Sequence, residues 1–234
     1  LSAYNGLIPD HGKLMHLFLV RDGDLGSLAH LHPVPRTPEA LDFDVSLPAL
    51  PAGKYRAYGD IVHESGYAQT LVATVDVPNA RPASAPTDPD DSWFTGTAAA
   101  NAAAFDFGDG TRMQWTRGDR SITRGVETLL EFSVRDTAGV VVDVEPYMGM
   151  AAHAMVASRD GSVFAHLHPS GSISMAALQQ FSGAGTDPHA GHDMPMSGAV
   201  AIPFAFPNAG PYRIWVQVKR GGRIRTAAFD VDVK

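Results

Sequence analysis

The pentapeptide Ala-His-Leu-His-Pro occurs twice, at residues 29–33 and 165–169, and each copy follows an earlier histidine by a similar interval. His16 precedes His30 by 14 residues and His153 precedes His166 by 13, so six of the ten histidines fall into two matching triplets. The match extends along the chain in constant order. His16 to Gly23 aligns with His153 to Gly161 with one gap, Ala52 to Tyr58 with Ala209 to Trp215, and Ala73 to Val77 with Ala228 to Val233. Such collinear self-similarity means two related domains.

Strand signals dominate both copies. Val126 to Val134, Val140 to Val144, Val200 to Phe206, Tyr212 to Val218 and Ile224 to Val233 are rich in β-branched and aromatic residues and are separated by Gly, Pro or Asp. Asp160-Gly161 and Gly221-Gly222 suit tight hairpin turns. Helix candidates are short, Met175 to Phe181 and the Ala-rich stretch from Ala98 to Ala104. The expected fold is all-β, with two immunoglobulin-like (cupredoxin-like) β-sandwich domains in tandem. Residues 1–78 form the first repeat, 79–92 a linker rich in Pro, Ala, Ser and Asp, and 93–234 the second repeat. The second copy has about 50 residues before its first matched histidine and the first has only 15, so the first repeat lacks its opening strands. Either a longer precursor was trimmed or another element covers that edge, because an open sheet edge is a liability. The first residue is Leu, which fits trimming.

Composition narrows the function. A net charge of −7 opposes nucleic-acid binding, which needs clustered Lys and Arg. No apolar run approaches the ~18 residues of a membrane span. Cysteine is absent, which excludes disulfides, thiolate zinc sites and blue-copper centres. Avoidance of thiols also leans toward the periplasm or cell exterior for a protein that handles copper.

Imidazole is the commonest protein ligand for zinc and copper. Residues i and i+2 of a strand share a face, so His30 and His32 point together, as do His166 and His168. A hairpin turning around Asp22 to Leu25 sets His16 opposite His32, and one turning around Arg159 to Ser162 sets His153 opposite His168. The third histidine then lies one diagonal step away, at ~7–8 Å or less, within reach of one ion. His11 aligns with Met148, and Met15 and Met150 lie nearby, and thioethers select Cu(I). The segment from Gly183 to Gly198 holds His189, His192, Met194 and Met196 in a Gly/Pro-rich loop suited to copper capture. His63 reads as a turn residue, and Leu14, Phe18 and Leu19 as core.

These elements resemble bacterial exported proteins of the YtkA-like, copper-handling type. The segments that carry the resemblance are Asp10 to His16, Glu145 to Gly149 and the two Ala-His-Leu-His-Pro stretches. The resemblance implies a periplasmic or membrane-anchored β-sandwich among metal-resistance functions, and it favours copper over zinc. The expected function is copper sequestration or transfer, as Cu(I) or Cu(II), with hand-over to a metal-transporting or metal-accepting protein and without catalysis. Two alternatives stand beside it. One is a metalloenzyme with a three-histidine copper or zinc centre, for which Glu145 and Asp60 are the candidate bases. The other is a structural tandem whose histidines have no metal role.

Overall fold

A computed structural model of the chain describes residues 6–79, 88–98, 102–118, 120–177 and 194–234. It divides into two units: Leu1–Gly96 with Ser174–Asp187, and Thr97–Ile173 with Pro188–Lys234. The protein is all-β, a tandem of immunoglobulin-like lobes, and each lobe is built on the same four-stranded hairpin pair. Among the described residues no helix is long and apolar enough to cross a membrane.

The first unit contains β1 (Leu7–Ile8), β2 (His16–Arg21), β3 (Ser27–Leu31), β4 (Val34–Pro35), β5 (Phe43–Asp44), β6 (Gly53–His63), β7 (Ala68–Val77) and β8 (Ser92–Thr95). Its main sheet runs β1-β6-β2-β3-β8, with β7 paired to β6, and β4 and β5 form a separate ribbon. The second unit contains β9 (Ala104–Asp106), β10 (Arg112–Trp115), β11 (Glu127–Arg135), β12 (His153–Ser158), β13 (Phe164–Leu167), β14 (Ala199–Ala205), β15 (Gly210–Arg220) and β16 (Arg223–Val233). It has two sheets, β14-β11-β10-β9 and β13-β12-β15-β16. The shared frame is β3-β2-β6-β7 in one unit and β13-β12-β15-β16 in the other.

Alternation along these strands divides their side chains between two faces. Leu17, Leu19, Ala29, Leu31, Tyr55, Ala57 and Val77 build the core of the first unit. Ala154, Val156, Ala165, Leu167, Tyr212, Ile214 and Val233 take the matching positions in the larger core of the second. There the second sheet contributes Met113, Trp115, Leu130, Phe132, Val134 and Ile202. Among its described residues the first unit has no counterpart of that sheet. The consequence shows on β7. Leu71 and Val75 are 46% and 38% exposed, whereas Ala227 and Val231, at the same register in the second unit, are 0% and 4% exposed.

Three local expectations change. Strand β8 begins inside the segment read as a linker and pairs Ser27–His30 with Ser92–Thr95, so the first unit runs on to Gly96. Val140 to Val144 forms isolated bridges to Arg135 and Met196 rather than a strand. Ala104 opens β9 rather than closing a helix, and residues 99–101 lie outside the described residues. The helical turn Met175–Ala177 lies in the Met175 to Phe181 candidate, and the rest of that candidate is outside the described residues.

Each unit also ties the start of its long strand with a tyrosine. The Tyr55 hydroxyl donates to the Pro51 carbonyl at 2.8 Å and the Tyr212 hydroxyl to the Asn208 carbonyl at 2.9 Å. This is the back-bonding of a tyrosine corner. Tyr212→Phe removes the bond without changing the packed ring, and should lower unfolding free energy in denaturant by about 1 kcal/mol.

Candidate metal centre

Tight turns set the entry to each triplet. Asp10 and Lys13 exchange backbone hydrogen bonds at 2.9 Å, with His11 and Gly12 between them at φ of 51° and 78°. Tyr147 and Met150 do the same around Met148 and Gly149, at 49° and 79°. Two consecutive left-handed residues define the primed turn that matches strand twist. Six residues after Asp10 comes His16, and six after Tyr147 comes His153.

The hairpin registers place the histidines as their spacing predicts. Leu17 pairs with Leu31 and Phe18 with His30, which sets His16 opposite His32. Ala154 pairs with Leu167 and Met155 with His166, which sets His153 opposite His168. All six belong to the face opposite their unit's core positions, and all but the partly exposed His166 are buried.

In the first triplet the ring centroids lie 5.4 Å (His16–His30), 5.1 Å (His16–His32) and 4.7 Å (His30–His32) apart. In the second the corresponding distances are 5.5, 5.0 and 4.5 Å. For His16, His30 and His32 one ring nitrogen from each lies within 4.8 Å of the other two. Ligands at ~2.0–2.1 Å around one tetrahedral ion stand ~3.3 Å apart, so modest side-chain closure suffices.

Hydrogen bonds orient these rings. His16 Nε2 lies 3.1 Å from the Asp10 carbonyl, which only accepts, so the proton is on Nε2 and the lone pair on Nδ1. That Nδ1 is 3.1 Å from His30 Nε2, whose ring stacks on Phe18 at 4.4 Å. Asp91 Oδ1 accepts from both the His32 main-chain N–H, at 2.8 Å, and Nδ1, at 3.1 Å. His32 Nε2 is thereby the lone-pair nitrogen, and it is buried with no hydrogen-bond partner among the described residues. A carboxylate on the far nitrogen of a ligating histidine is the usual support of a metal site.

His32, Asp88 and Asp91 also place ligand atoms within 4.8 Å of one another. That group is already satisfied: Lys13 Nζ holds Asp88 at 2.6 Å and approaches Asp90 at 3.3 Å, while Asp91 binds His32. Burial raises the Asp88 pKa, but the bonds from Lys13 and the Asp90 N–H outweigh it and hold the carboxyl below its ordinary range.

The remaining candidates separate. His11 stands beside the first triplet, its ring 6.2 Å from His16. Met148 occupies the equivalent turn position in the second unit. Met196 bridges to Val144 and packs into the second unit's core, on the opposite face of the sheet from that unit's histidines, so it is not a ligand of the second triplet. Met194 is 69% exposed, and His189 and His192 lie outside the described residues. His63 ends β6 beside a turn and bonds Gln69 at 3.0 Å. Glu145 caps the Gly221-Gly222 turn through the Gly222 N–H. The role of the Asp10 carbonyl escapes sequence reasoning because a main-chain acceptor carries no side-chain signal, and that of Asp91 because the composition of 79–92 reads as linker.

A family described as "Domain of unknown function (DUF8832)" matches residues 3–79 and 104–234. The chain belongs to this family. Its two matched segments contain both triplets. No curated protein matches the chain. Among solved structures, the Lin-41 filamin domain is 17% identical over 58% of this chain and 98% of its own, with a TM-score of 0.30. Domains 4 and 5 of the S-layer protein SbsC are 9% identical over 94% and 98%, with a TM-score of 0.24.

Asp60 is in register with His16 on the neighbouring strand and accepts from Thr70 Oγ1 at 2.6 Å. Burial pushes its pKa up to about 6, and Asp10 adds to the rise against the Thr70 bond. Folded protein therefore holds this proton more tightly than the unfolded chain. Stability contributed by the neutral form is present at low pH and is lost as pH rises to about 6 and above. Asp60→Asn should stabilise the metal-free protein at pH 7.5 by about 1 kcal/mol, a value reduced for the partial exposure of the group. Thermal melts should show the gain disappearing toward pH 4.

Proposed function

We propose that this protein binds a transition-metal ion, copper in the first instance, through its histidine triplets, and sequesters it or passes it to a metal-accepting partner. The reading rests on one observation: three buried imidazoles offer ring nitrogens within 4.8 Å, and two of those rings are oriented by a carbonyl and a carboxylate on their far nitrogens. A structural histidine would spend both nitrogens on hydrogen bonds, whereas His32 keeps Nε2 available in a buried site.

Copper is favoured over zinc by the setting. Met148 stands in the turn equivalent to that of His11, and thioether sulfur is a soft ligand. The absence of cysteine suits an exported protein exposed to copper and oxygen. The resemblance to exported copper-handling proteins points to the same ion and to a periplasmic or extracellular setting. Binding without turnover accounts for the site as it stands.

Titration of metal-free protein with Cu(I), Cu(II) and Zn(II) tests this reading. Micromolar or tighter binding is expected, and a combined His30→Ala/His32→Ala/His166→Ala/His168→Ala variant should lose it. Binding that survives the quadruple variant, or none in the parent, ends the proposal. Ligating imidazoles must be neutral, so affinity should fall below about pH 6. A flat profile from pH 7.5 to 5 would exclude histidine ligation.

A further inference from the structure

The shared frame permits a position-by-position comparison of what surrounds each triplet within its own unit. At the turn preceding the first histidine, the first unit has Asp10 and the second has Tyr147, whose ring meets His153 edge-on at 5.0 Å. On the long neighbouring strand, Asp60 is in register with His16, and Gln217 with His153. Each is joined to a threonine on the next strand: Thr70 donates to Asp60 at 2.6 Å, and Gln217 donates to Thr226 at 3.2 Å. The main-chain N–H of the last histidine is held by the Asp91 carboxylate in the first unit and by the Gly171 carbonyl, at 2.8 Å, in the second. Within the turn itself, His11 is replaced by Met148.

Three carboxylates in one frame thus correspond to a phenol, an amide and a backbone carbonyl in the other. Lys13 does not cancel the difference, because its ammonium is committed to Asp88 and Asp90. Three neutral imidazoles around a divalent ion leave two positive charges in a buried site, and nearby carboxylates compensate them. A monovalent ion needs half that compensation, and soft Cu(I) accepts a thioether.

Resting on the reading that both triplets bind metal, we infer that they are specialised by ionic charge: His16, His30 and His32 take a divalent ion, and His153, His166 and His168 take Cu(I). Asp91 is a positioning residue for the divalent site, acting through His32. The pair would let one chain hold copper in both oxidation states at separate addresses.

The test uses the full chain with two redox-defined probes: Zn(II) as an inert divalent ion, and Cu(I) under anaerobic conditions against a competing chelator. His30→Ala/His32→Ala should abolish the tight Zn(II) equivalent and leave that of Cu(I). His166→Ala/His168→Ala should do the reverse. Asp91→Asn should weaken Zn(II) about 10- to 100-fold, the range for losing such a partner, with Cu(I) affinity unchanged. Gln217→Asp supplies a gain that misfolding cannot imitate: a tighter second Zn(II) equivalent and weaker Cu(I). Loss of both ions in the same double variant, equal effects of Asp91→Asn on both ions, or no gain in Gln217→Asp overturns the inference. If the parent binds both ions equally at both triplets, metal binding stands and only the specialisation falls. If the parent binds neither ion, the metal reading fails and the specialisation falls with it.

Discussion

Strict two-residue alternation along the β2–β3 and β12–β13 hairpins is the constraint on which the rest depends. It assigns Leu17, Leu19, Ala29 and Leu31 to the first core and leaves His16, His30 and His32 together on the other face. A register slip of one residue would carry Leu17, Leu19, Ala29 and Leu31 out of this core and the histidines into it. The hydrophobic cluster therefore enforces the imidazole cluster, although the two share no side chain. The turns reinforce the register, since two left-handed residues at His11-Gly12 and at Met148-Gly149 fix where each pairing begins.

Legibility of the chain follows from the range of the interactions concerned. The long strands, the Gly221-Gly222 turn and the opposition of His16 to His32 all depend on neighbours within about one hairpin, and spacing alone reveals them. Asp91 reaches His32 across 59 residues, and no local pattern encodes that contact. Its segment is rich in Pro and Asp, a composition shared by flexible linkers and by ordered, hydrogen-bonded turns such as the Asp88–Asp91 turn. Val140 to Val144 failed for a related reason. Val142 and Val144 do bond across to Val134 and Met196, but in separate bridges, so β-branched composition did not produce a continuous ladder.

The repeat is conserved in geometry more than in chemistry. Backbone devices recur almost unchanged: the primed turn and the tyrosine bond four residues back. Ring spacings agree to within a few tenths of an ångström between the triplets. The groups behind the rings diverge, with carboxylates in one unit and neutral partners in the other. A frame held constant by packing allows such drift, because exchanging Asp for Gln beside a histidine leaves the core-facing residues undisturbed.

The same division bears on stability. The second unit buries Phe229 and Val231 beneath a full sheet, whereas β7 of the first leaves Leu71 and Val75 exposed. The first unit therefore draws less free energy from apolar burial, at ~25 cal/mol per Å². It also keeps a hydrogen-bond-poor nitrogen, His32 Nε2, in its interior, an arrangement that is unfavourable without a partner. An ion bound to His16, His30 and His32 would satisfy that nitrogen and would bind the folded state alone, adding its binding free energy to the folding of the lobe with the thinner core. The repeat with less hydrophobic support also carries the histidine cluster with more carboxylates around it, so an ion bound there would add stability where apolar burial supplies less.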